Sequence, residues 1–318
     1  MAVMTIYEQA KRLDPDGSAA KIAEILEQKN TIFKDAPVFM ANDQNSNVST
    51  VRLAHGGANV RRINKGATLT SSATKQIRDE IMLIEDWVRI DEKIMEMQAD
   101  QKRFRFGEIK GCLNGIMDGF HDNFWYGGGG DIGEVTGLMN RYNLTSMENV
   151  YSAGGSGSDT SSVVAIQWGE DTVHMVYPRG GTVGIEDEDK GKMTVYDSSG
   201  NPFDAFVNKI RLQFGIVVKD PSAIQRVANI ESSGTTTNLR VSTVIDTLIE
   251  AINNLPDSGD GAVLYVNRAL KAQIDQMAYS KSNAAFNYMD VGGKRISMFM
   301  EVPVRLNEAM VATETAIS

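Results

Sequence analysis

Residues 44–78 read QNSNVSTVRLAHGGANVRRINKGATLTSSATKQIR and contain neither Asp nor Glu. The cations of this stretch are Arg52, Arg61, Arg62, Lys65, Lys75 and Arg78. The charge then changes sign, because residues 79–100 carry Asp79, Glu80, Glu85, Asp86, Asp91, Glu92, Glu96 and Asp100 against Arg89 and Lys93. We interpret the stretch as a cationic limb that leads into an anionic helix start, an asymmetry suited to holding one subunit against the next.

The cationic limb, residues 44–78, has too few apolar residues to form a core of its own. Its apolar residues include Leu53, Val60, Ile63 and Leu69, and its glycines are Gly56, Gly57 and Gly66. An isolated two-stranded ribbon is marginally stable in water, and glycines allow it to bend, so the limb needs a surface to lie on. The alternative is a solvated loop, since many charge runs are no more than that.

The composition is that of a globular protein. The 318 residues, of which 42% are hydrophobic and 23% charged, suffice for two modest domains or for one domain with large insertions. No apolar run reaches the length of a membrane span, and the N-terminal residues do not resemble a signal peptide, which predicts synthesis and use in the cytosol. Cys112 is the single cysteine, so an intrachain disulfide and a cysteine-clustered metal site are excluded.

The formal net charge of −9 bears on the partners of the chain. Tight, sequence-specific binding of nucleic acid rests on a basic surface, so an acidic chain argues against it. Enclosing nucleic acid without gripping it remains compatible with this charge.

Residues 91–126, DEKIMEMQADQKRFRFGEIKGCLNGIMDGFHDNFWY, carry the longest helical pattern. Apolar residues recur mostly at steps of three and four, which predicts a helix about 50 Å long. Gly107, Gly111, Gly115 and Gly119 repeat at every fourth residue, at about 1 kcal/mol each relative to Ala. We expect another backbone to approach this glycine row closely, so that Leu at position 115 would overpack the contact by about 1–3 kcal/mol. The alternative is a helix break near Gly107.

The rest of the chain mixes strand and helix patterns. Residues 5–30 predict two helical pieces of an arm, interrupted by DPDG at 14–17. Strand patterns occupy 163–168, 172–177, 192–196, 205–214, 216–218, 262–266 and 295–300. Helix patterns at 241–253 and 268–277 complete an α+β unit. The tract AGGSGSDTSS at 153–162 is the best linker candidate.

Four patterns look like chemical sites, and we discount each of them. Residues 128–133 match G-x-G-x-x-G but follow a helix rather than a strand, and residues 154–158 lack the final glycine of a nucleophile elbow. The three histidines have no metal-ligand spacing, and EDED at 186–189 lacks the turn glycine of a calcium loop. We therefore predict no catalytic residue, no cofactor and no metal ion.

Several segments in order resemble one known family. They are IYEQAKRLDPDGSAAKIAEILEQKN at 6–30, RRINKGATLTSSATKQI at 61–77, NFWYG at 123–127, TGLMNRYN at 136–143, QWGEDTVHMVYPRG at 167–180 and IRLQFGIVVKDPSAIQRVANI at 210–230. Together they resemble the major capsid proteins of tailed bacteriophages, whose shell fold is the Hong Kong 97-like (HK97-like) fold, and in particular a podovirus-like group.

The resemblance implies an α+β, HK97-like organisation of the chain. Its segments would be an N-arm at 1–43, an extended E-loop at 44–86, a peripheral domain with the spine helix at 87–158, β-rich segments shared by the two domains at 159–235 and an axial domain at 236–318. In the commonest segment order those β-rich strands come last. Here they precede the axial helices, so we expect a rearranged segment order or a misplaced boundary.

The implied function is structural and not enzymatic. Copies would form pentamers and hexamers and close as an icosahedral shell around double-stranded phage DNA, held without sequence specificity and without a membrane. The chain would be located in the virion capsid after assembly in the host cytoplasm, with scaffolding, portal and decoration proteins as further partners. The alternatives are an encapsulin-type compartment around enzyme cargo and, more remotely, a soluble nucleotide-dependent enzyme that uses the glycine run.

The resemblance also suggests which charged residues meet between subunits. We assign Arg61, Arg62 and Lys65 to contacts with a neighbour's Asp79, Glu80, Glu85 and Asp86. An exposed ion pair contributes about 0–1 kcal/mol, so such a contact acts through repetition. Some members of the family crosslink their subunits through Lys and Asn. No acid that would catalyse this reaction stands out in the sequence, so we predict no crosslink.

Overall fold

A computed structural model describes residues 31–54, 56–66, 69–131, 133–232, 237–280, 286–291 and 294–318. The helical arm predicted at residues 5–30 lies outside the described residues. The described helices are α1 (Ile32–Asp35), α2 (Glu92–Glu96), α3 (Gln101–Tyr126), α4 (Leu138–Arg141), α5 (Ser242–Asn253) and α6 (Arg268–Ser280). The described strands are β1 (Val38–Met40), β2 (Ser46–Ala54), β3 (Ala73–Asp91), β4 (Val150–Ser152), β5 (Thr160–Gln167), β6 (Val173–Tyr177), β7 (Ile185–Tyr196), β8 (Pro202–Val218), β9 (Ile224–Glu231), β10 (Ala262–Val266), β11 (Phe286–Val291), β12 (Lys294–Phe299) and β13 (Val302–Leu306).

The first sheet has the strand order β1-β6-β8-β3-β2, and β7 pairs with β8 as well. Strand β3 changes partner along its length. Residues 81–91 pair antiparallel with β8, from Ile81 opposite Gly215 to Asp91 opposite Ala205. Residues 73–80 pair with β2 instead, so the β2–β3 hairpin extends beyond the sheet. At about 3.3 Å per residue, its paired part is about 25 Å long, and its base, which includes Ser46, Asn47 and Asp79, is buried.

The second sheet has the order β11-β12-β13-β10-β5-β9-β4 and is mixed, because β10 with β13 and β4 with β9 run parallel. The chain enters this sheet with β4 and β5, leaves it for β6, β7 and β8 of the first sheet, and returns with β9. The strands β6, β7 and β8 are therefore inserted in the chain between β5 and β9, which are neighbours in the second sheet. Whether this order is rearranged relative to the commonest HK97-like segment order stays a prediction, as do the domain boundaries.

Helix α3 packs its apolar stripe on the first sheet and joins the two sheets in one core. Phe120 lies 4.4 Å from Phe214 of β8 and 4.6 Å from Phe33 of α1, measured between ring centroids. At the end of the helix, the Trp125 ring lies 5.7 Å from that of Tyr265 on β10. Large rings buried at both ends of the contact dominate its stability, because each removes a large apolar area from water.

A second core lies between the second sheet and the helices α5 and α6. The helices contribute Val244, Leu248, Ile252, Leu270 and Ile274, all buried, at the three- and four-residue steps predicted from the sequence. The helices predicted at 241–253 and 268–277 and the strands predicted at 163–168, 172–177, 262–266 and 295–300 are confirmed to within a few residues. The two strands predicted at 205–214 and 216–218 are one strand, β8, and the strand predicted at 192–196 is the end of the longer β7.

The predicted anionic helix start is correct from Asp91, which caps α2, and wrong for residues 79–90. Residues 79–91 belong to β3, where Ile84, Asp86 and Val88 face α3 while Glu85 and Trp87 lie on the opposite face. Side chains that alternate between two faces have the period of a strand, so the acidic residues of this segment do not begin a helix.

The predicted helix 91–126 is divided. Residues 97–100 separate α2 from α3, and Asp100 caps α3 by accepting a hydrogen bond from the Arg103 N–H at 3.0 Å. The helix continues without a break through Gly107, so the alternative of a break there is also wrong. No helix within the described ranges is long and apolar enough to cross a membrane.

The linker prediction at 153–162 is wrong as well. Strands β4 and β5, on either side of the glycines, both pair with β9. Thr160, Ser161 and Ser162 are buried in β5, and the Gly155 N–H donates to the carbonyl of Asn229 at 2.9 Å. The tract therefore connects two strands of one sheet and not two domains.

Candidate assembly surfaces

The tip of the cationic limb exposes its apolar side chains to solvent. Val60, Ile63 and Leu69 are 99%, 91% and 98% exposed. The tip is nevertheless shaped by its own hydrogen bonds, since the Lys65 N–H donates to the Arg62 carbonyl at 3.1 Å. Three apolar side chains left in water on a projecting hairpin indicate a surface that is covered in an assembly.

The cations of the limb fall into two groups. At the tip, Arg61, Arg62 and Lys65 are exposed, and Arg61 Nε donates only locally, to the Lys65 carbonyl at 2.9 Å. At the base, Arg78 Nε donates to Ser46 Oγ at 2.9 Å, and its guanidinium lies 3.3 Å from Asp43 and 3.4 Å from Glu80. Lys75 is exposed on the strand between these groups, and the backbone of Arg52 pairs with Thr74 across the hairpin.

The acids assigned as the limb's target have partners within their own subunit. Asp79 is 2% exposed and accepts a hydrogen bond from Arg141 Nη2 at 2.6 Å. Burial raises the pKa of Asp79, and Arg141 opposes this shift. Asp79 is therefore buried and paired within its own subunit, and its contact with a neighbour's cation stays a prediction.

The other three acids also make contacts inside the chain. Glu85 Oε2 lies 2.7 Å from Lys209 Nζ, and hydrogen bonds from Lys209 and then Trp87 lower the pKa of Glu85. Asp86 Oδ2 accepts from Cys112 Sγ at 3.2 Å, while Glu80 faces Arg78 at the base of the limb. Glu85 and Asp86 are nevertheless exposed, so a contact between them and a neighbour's tip cations stays a prediction.

The sequence as a whole matches one protein family. A family model for the major capsid protein GP7 matches residues 14–318. The chain belongs to the major capsid protein GP7 family. It is therefore a capsid shell protein, as the resemblance implied. No curated protein matches the sequence.

Chains in two solved structures are similar to this GP7-family chain. A chain in the structure of bacteriophage Epsilon15 matches with a TM-score of 0.67 at 24% identity, over 100% of this chain and 98% of that chain. A chain of the bacteriophage JBD30 capsid matches with a TM-score of 0.49 at 11% identity, over 88% of this chain and 91% of that chain. The likeness to the Epsilon15 chain confirms the α+β, HK97-like phage capsid fold.

The glycine row of the GP7-family subunit is not closely packed against the described part of its own chain. A Cβ added at Gly107, Gly111 or Gly115 would meet no described atom within 4 Å, and one at Gly119 would meet Ile84 at an ordinary 3.9 Å. Among the described residues nothing packs closely on the first three positions, and a Cβ at position 115 would meet none of them. An approach by another subunit's backbone stays a prediction.

The discounted chemical patterns have structural roles in the GP7-family subunit. The acids at 186–189 lie on β7 rather than at a loop tip, where Glu186 Oε2 accepts from Arg211 Nε at 2.6 Å and Asp189 pairs with Arg105. His121 and His174 are buried, and burial lowers the pKa of each to about 4. The described residues contain no group of three His, Cys, Asp or Glu arranged to hold a metal ion.

Two buried polar networks were missed at the sequence level. In one, Asp35 accepts from Tyr265 Oη at 3.0 Å and pairs with Arg305 at 3.3 Å, which joins α1 to the second sheet. In the other, Arg226 pairs with Glu314. The partners lie more than 80 residues apart in the chain, so no local pattern could reveal them.

Proposed function

We propose that this capsid protein assembles into pentamers and hexamers that close as an icosahedral shell, with the limb of each subunit lying on a neighbour. The observation that carries the proposal is the exposed apolar tip on a hairpin that projects beyond its own sheet. Covering an exposed aliphatic side chain contributes about 1.5–3 kcal/mol, so the three tip residues supply several kcal/mol for each docked limb. The role is structural rather than enzymatic.

The cations of the tip would orient the docked limb on the neighbouring subunit more than they would strengthen its binding. Each exposed ion pair contributes about 0–1 kcal/mol, and a closed shell repeats every contact in symmetry-related copies. Electrostatic complementarity also suppresses wrong pairings, because like charges brought together cost free energy. The limb is suited to this use, since no acid interrupts residues 44–78.

The shell would enclose double-stranded DNA without recognising its base sequence. A chain with net charge −9 has no excess of cations with which to grip a polyanion, so the shell would confine DNA by closure. We place assembly in the host cytoplasm and the final location in the virion. Scaffolding, portal and decoration proteins remain proposed partners.

The test reverses the charge of the tip. The double variant R61E/R62E should give a subunit with an unchanged melting midpoint that forms no closed particles, measured by sedimentation velocity and electron microscopy. The matched control R61K/R62K keeps both charges and should assemble. Normal particle yield from R61E/R62E would contradict the role of the limb. Particles that enclose a protein cargo instead of nuclease-protected DNA would contradict the proposed content.

A further inference from the structure

A cleft of about 540 Å³ opens between the second half of α3 and the segment that follows β13. Helix α3 contributes Met117, Asp118, His121 and Asp122 to its lining, the segment at 306–309 forms the other wall, and Thr31 also lines it. Met117 and His121 are buried, whereas Asp118 and Asp122 are exposed at its border. The cleft thus combines an apolar interior with acids at its mouth.

The charged side chains that line the cleft are all acidic among the described residues. Its lining includes the carboxylates of Asp118, Asp122 and Glu308, and no Lys or Arg lines it among the described residues. Glu308 pairs with Arg268 on the surface, but Asp118 and Asp122 make no ion pair within the described part of the chain. Carboxylates left unpaired beside a cleft attract a cationic group from another chain.

A buried imidazole adds a directional contact. His121 is 9% exposed, and its Nδ1 lies 3.3 Å from Asn307 Nδ2. With the amide donating to Nδ1, the proton of the neutral ring is on Nε2, which has no hydrogen-bond partner within the described ranges. An N–H group of this kind in the wall of a cleft suits a backbone carbonyl of an incoming loop.

We propose that this cleft receives the limb tip of a second copy of the chain. The tip carries what the cleft lacks, since Arg61, Arg62 and Lys65 are exposed cations and Ile63 is an exposed apolar side chain between them. The cations lie beside Asp118 and Asp122, and the aliphatic side chain enters the part of the cleft lined by Met117. The proposal rests on the proposed function and names the surface that the limb occupies.

The assignment also gives the tip cations a target besides the acids of β3. Of those acids, Asp79 is buried against Arg141, Glu85 is paired with Lys209, and Asp86 is exposed and accepts from Cys112. The cleft offers two acids on one helix face, Asp118 and Asp122, that are exposed and make no ion pair among the described residues. Charge complementarity and the apolar content of both surfaces therefore favour a copy of this chain as the occupant.

A charge swap tests the pairing. The variant D118K/D122K should keep its melting midpoint, because both positions are exposed, and its particle yield should fall by about tenfold or more. R61E/R62E should fail in the same way. The chain that carries all four substitutions should recover particles, because each ion pair is restored with its charges exchanged. The control D246K/E250K changes two exposed acids of α5 and should assemble normally.

The outcomes separate this inference from the proposed function. If the wild-type chain forms particles and D118K/D122K does too, the cleft is not the docking site, although the shell function stands. A four-substitution chain that fails to recover particles would also overturn the pairing. If the wild-type chain forms no particles even with its scaffold, the result contradicts the proposed shell function itself and not only the docking site.

A crosslink gives a second, independent readout. R62C and D122C chains, mixed under oxidising conditions during assembly, should form a disulfide between copies, identified by peptide mapping, because a disulfide requires Cα atoms within about 7 Å. A link between position 122 and any segment other than residues 56–69 would overturn the proposal.

Discussion

Arg226 on β9 and Glu314 near the C-terminus form a buried ion pair, with Nη2 3.0 Å from Oε2 and side chains 5% and 6% exposed. Arg226 Nη1 also donates to the Tyr142 carbonyl at 2.7 Å, and Glu314 Oε1 accepts from Tyr126 Oη at 2.9 Å. The pair therefore joins the end of α3, the segment after α4, the second sheet and the C-terminal segment at one point.

Removing one partner of this pair should destabilise the subunit strongly. Glu314→Ala leaves the Arg226 guanidinium buried without a counterion, which costs about 3–5 kcal/mol in the free energy of unfolding. Urea denaturation of the soluble subunit measures this. The control Glu308→Ala breaks an exposed ion pair with Arg268 and should cost about 1 kcal/mol or less. Equal effects of the two substitutions would contradict the structural role of the buried pair.

Alanine in the glycine row should stabilise the isolated subunit. At Gly111 and Gly115 a Cβ meets no described atom within 4 Å, so the gain in helix propensity, about 0.5–1 kcal/mol per site, is not offset by a clash. The melting midpoint of the double variant should rise. The control Gly137→Ala should lower it, because its Cβ would lie 2.4 Å from the Gly127 backbone nitrogen.

The same double variant also tests whether a neighbouring subunit approaches the glycine row. If another backbone packs there in the shell, the particle yield should fall although the subunit is more stable. Normal yield together with a raised melting midpoint would show that the row has no packing role in assembly.

Polar substitution of the limb tip should separate folding from assembly. With Val60, Ile63 and Leu69 all changed to Ser, the melting midpoint of the subunit should not change, because all three side chains are already in water. Assembly should be lost, since the apolar area covered by docking has been removed. The control Tyr279→Ser alters another exposed apolar side chain, on α6, and should leave assembly intact. A lower melting midpoint of the tip variant would mean that the tip packs within its own subunit.

The subunit should lose stability between about pH 6.5 and pH 4 through its buried histidines. Burial lowers the pKa of His121 and of His174 to about 4, whereas a histidine in the unfolded chain titrates near pH 6.5. The unfolded state then binds more protons across this window, so stability falls as the pH falls, on the order of 3 kcal/mol for each ring by pH 4.

The histidine contribution can be isolated by substitution. The double variant H121Q/H174Q should show a flatter dependence of melting midpoint on pH between about pH 6.5 and pH 4 than the wild type. Burial raises the pKa of Asp35 and Asp79, and protonation of these acids stabilises the folded state as the pH falls, so they act in the opposite direction. An unchanged pH profile in the double variant would rule out the histidines as its cause.

Local patterns predicted most elements of the chain correctly. The strand at 262–266 and the helix at 241–253 were recognisable because their apolar residues repeat with the period of the element itself. The failures occurred where a short-range feature competed with pairing between distant strands. The acids after residue 78 suggested a helix start, but eleven successive residue pairs between β3 and β8 fix that segment as a strand. The glycines and serines at 153–162 suggested a linker, but β9 pairs with the strands on both sides.

The sequence by itself determined the family, the presence of a projecting cationic limb and the long helix, because charge runs and apolar periods are local properties of the chain. The tertiary structure decided which charges are available. Asp79 is lost to a buried contact with Arg141, while Asp118 and Asp122 remain exposed beside a cleft. Whether a carboxylate is buried or free depends on residues from distant segments that folding brings together, and a single sequence does not encode that proximity in any local pattern.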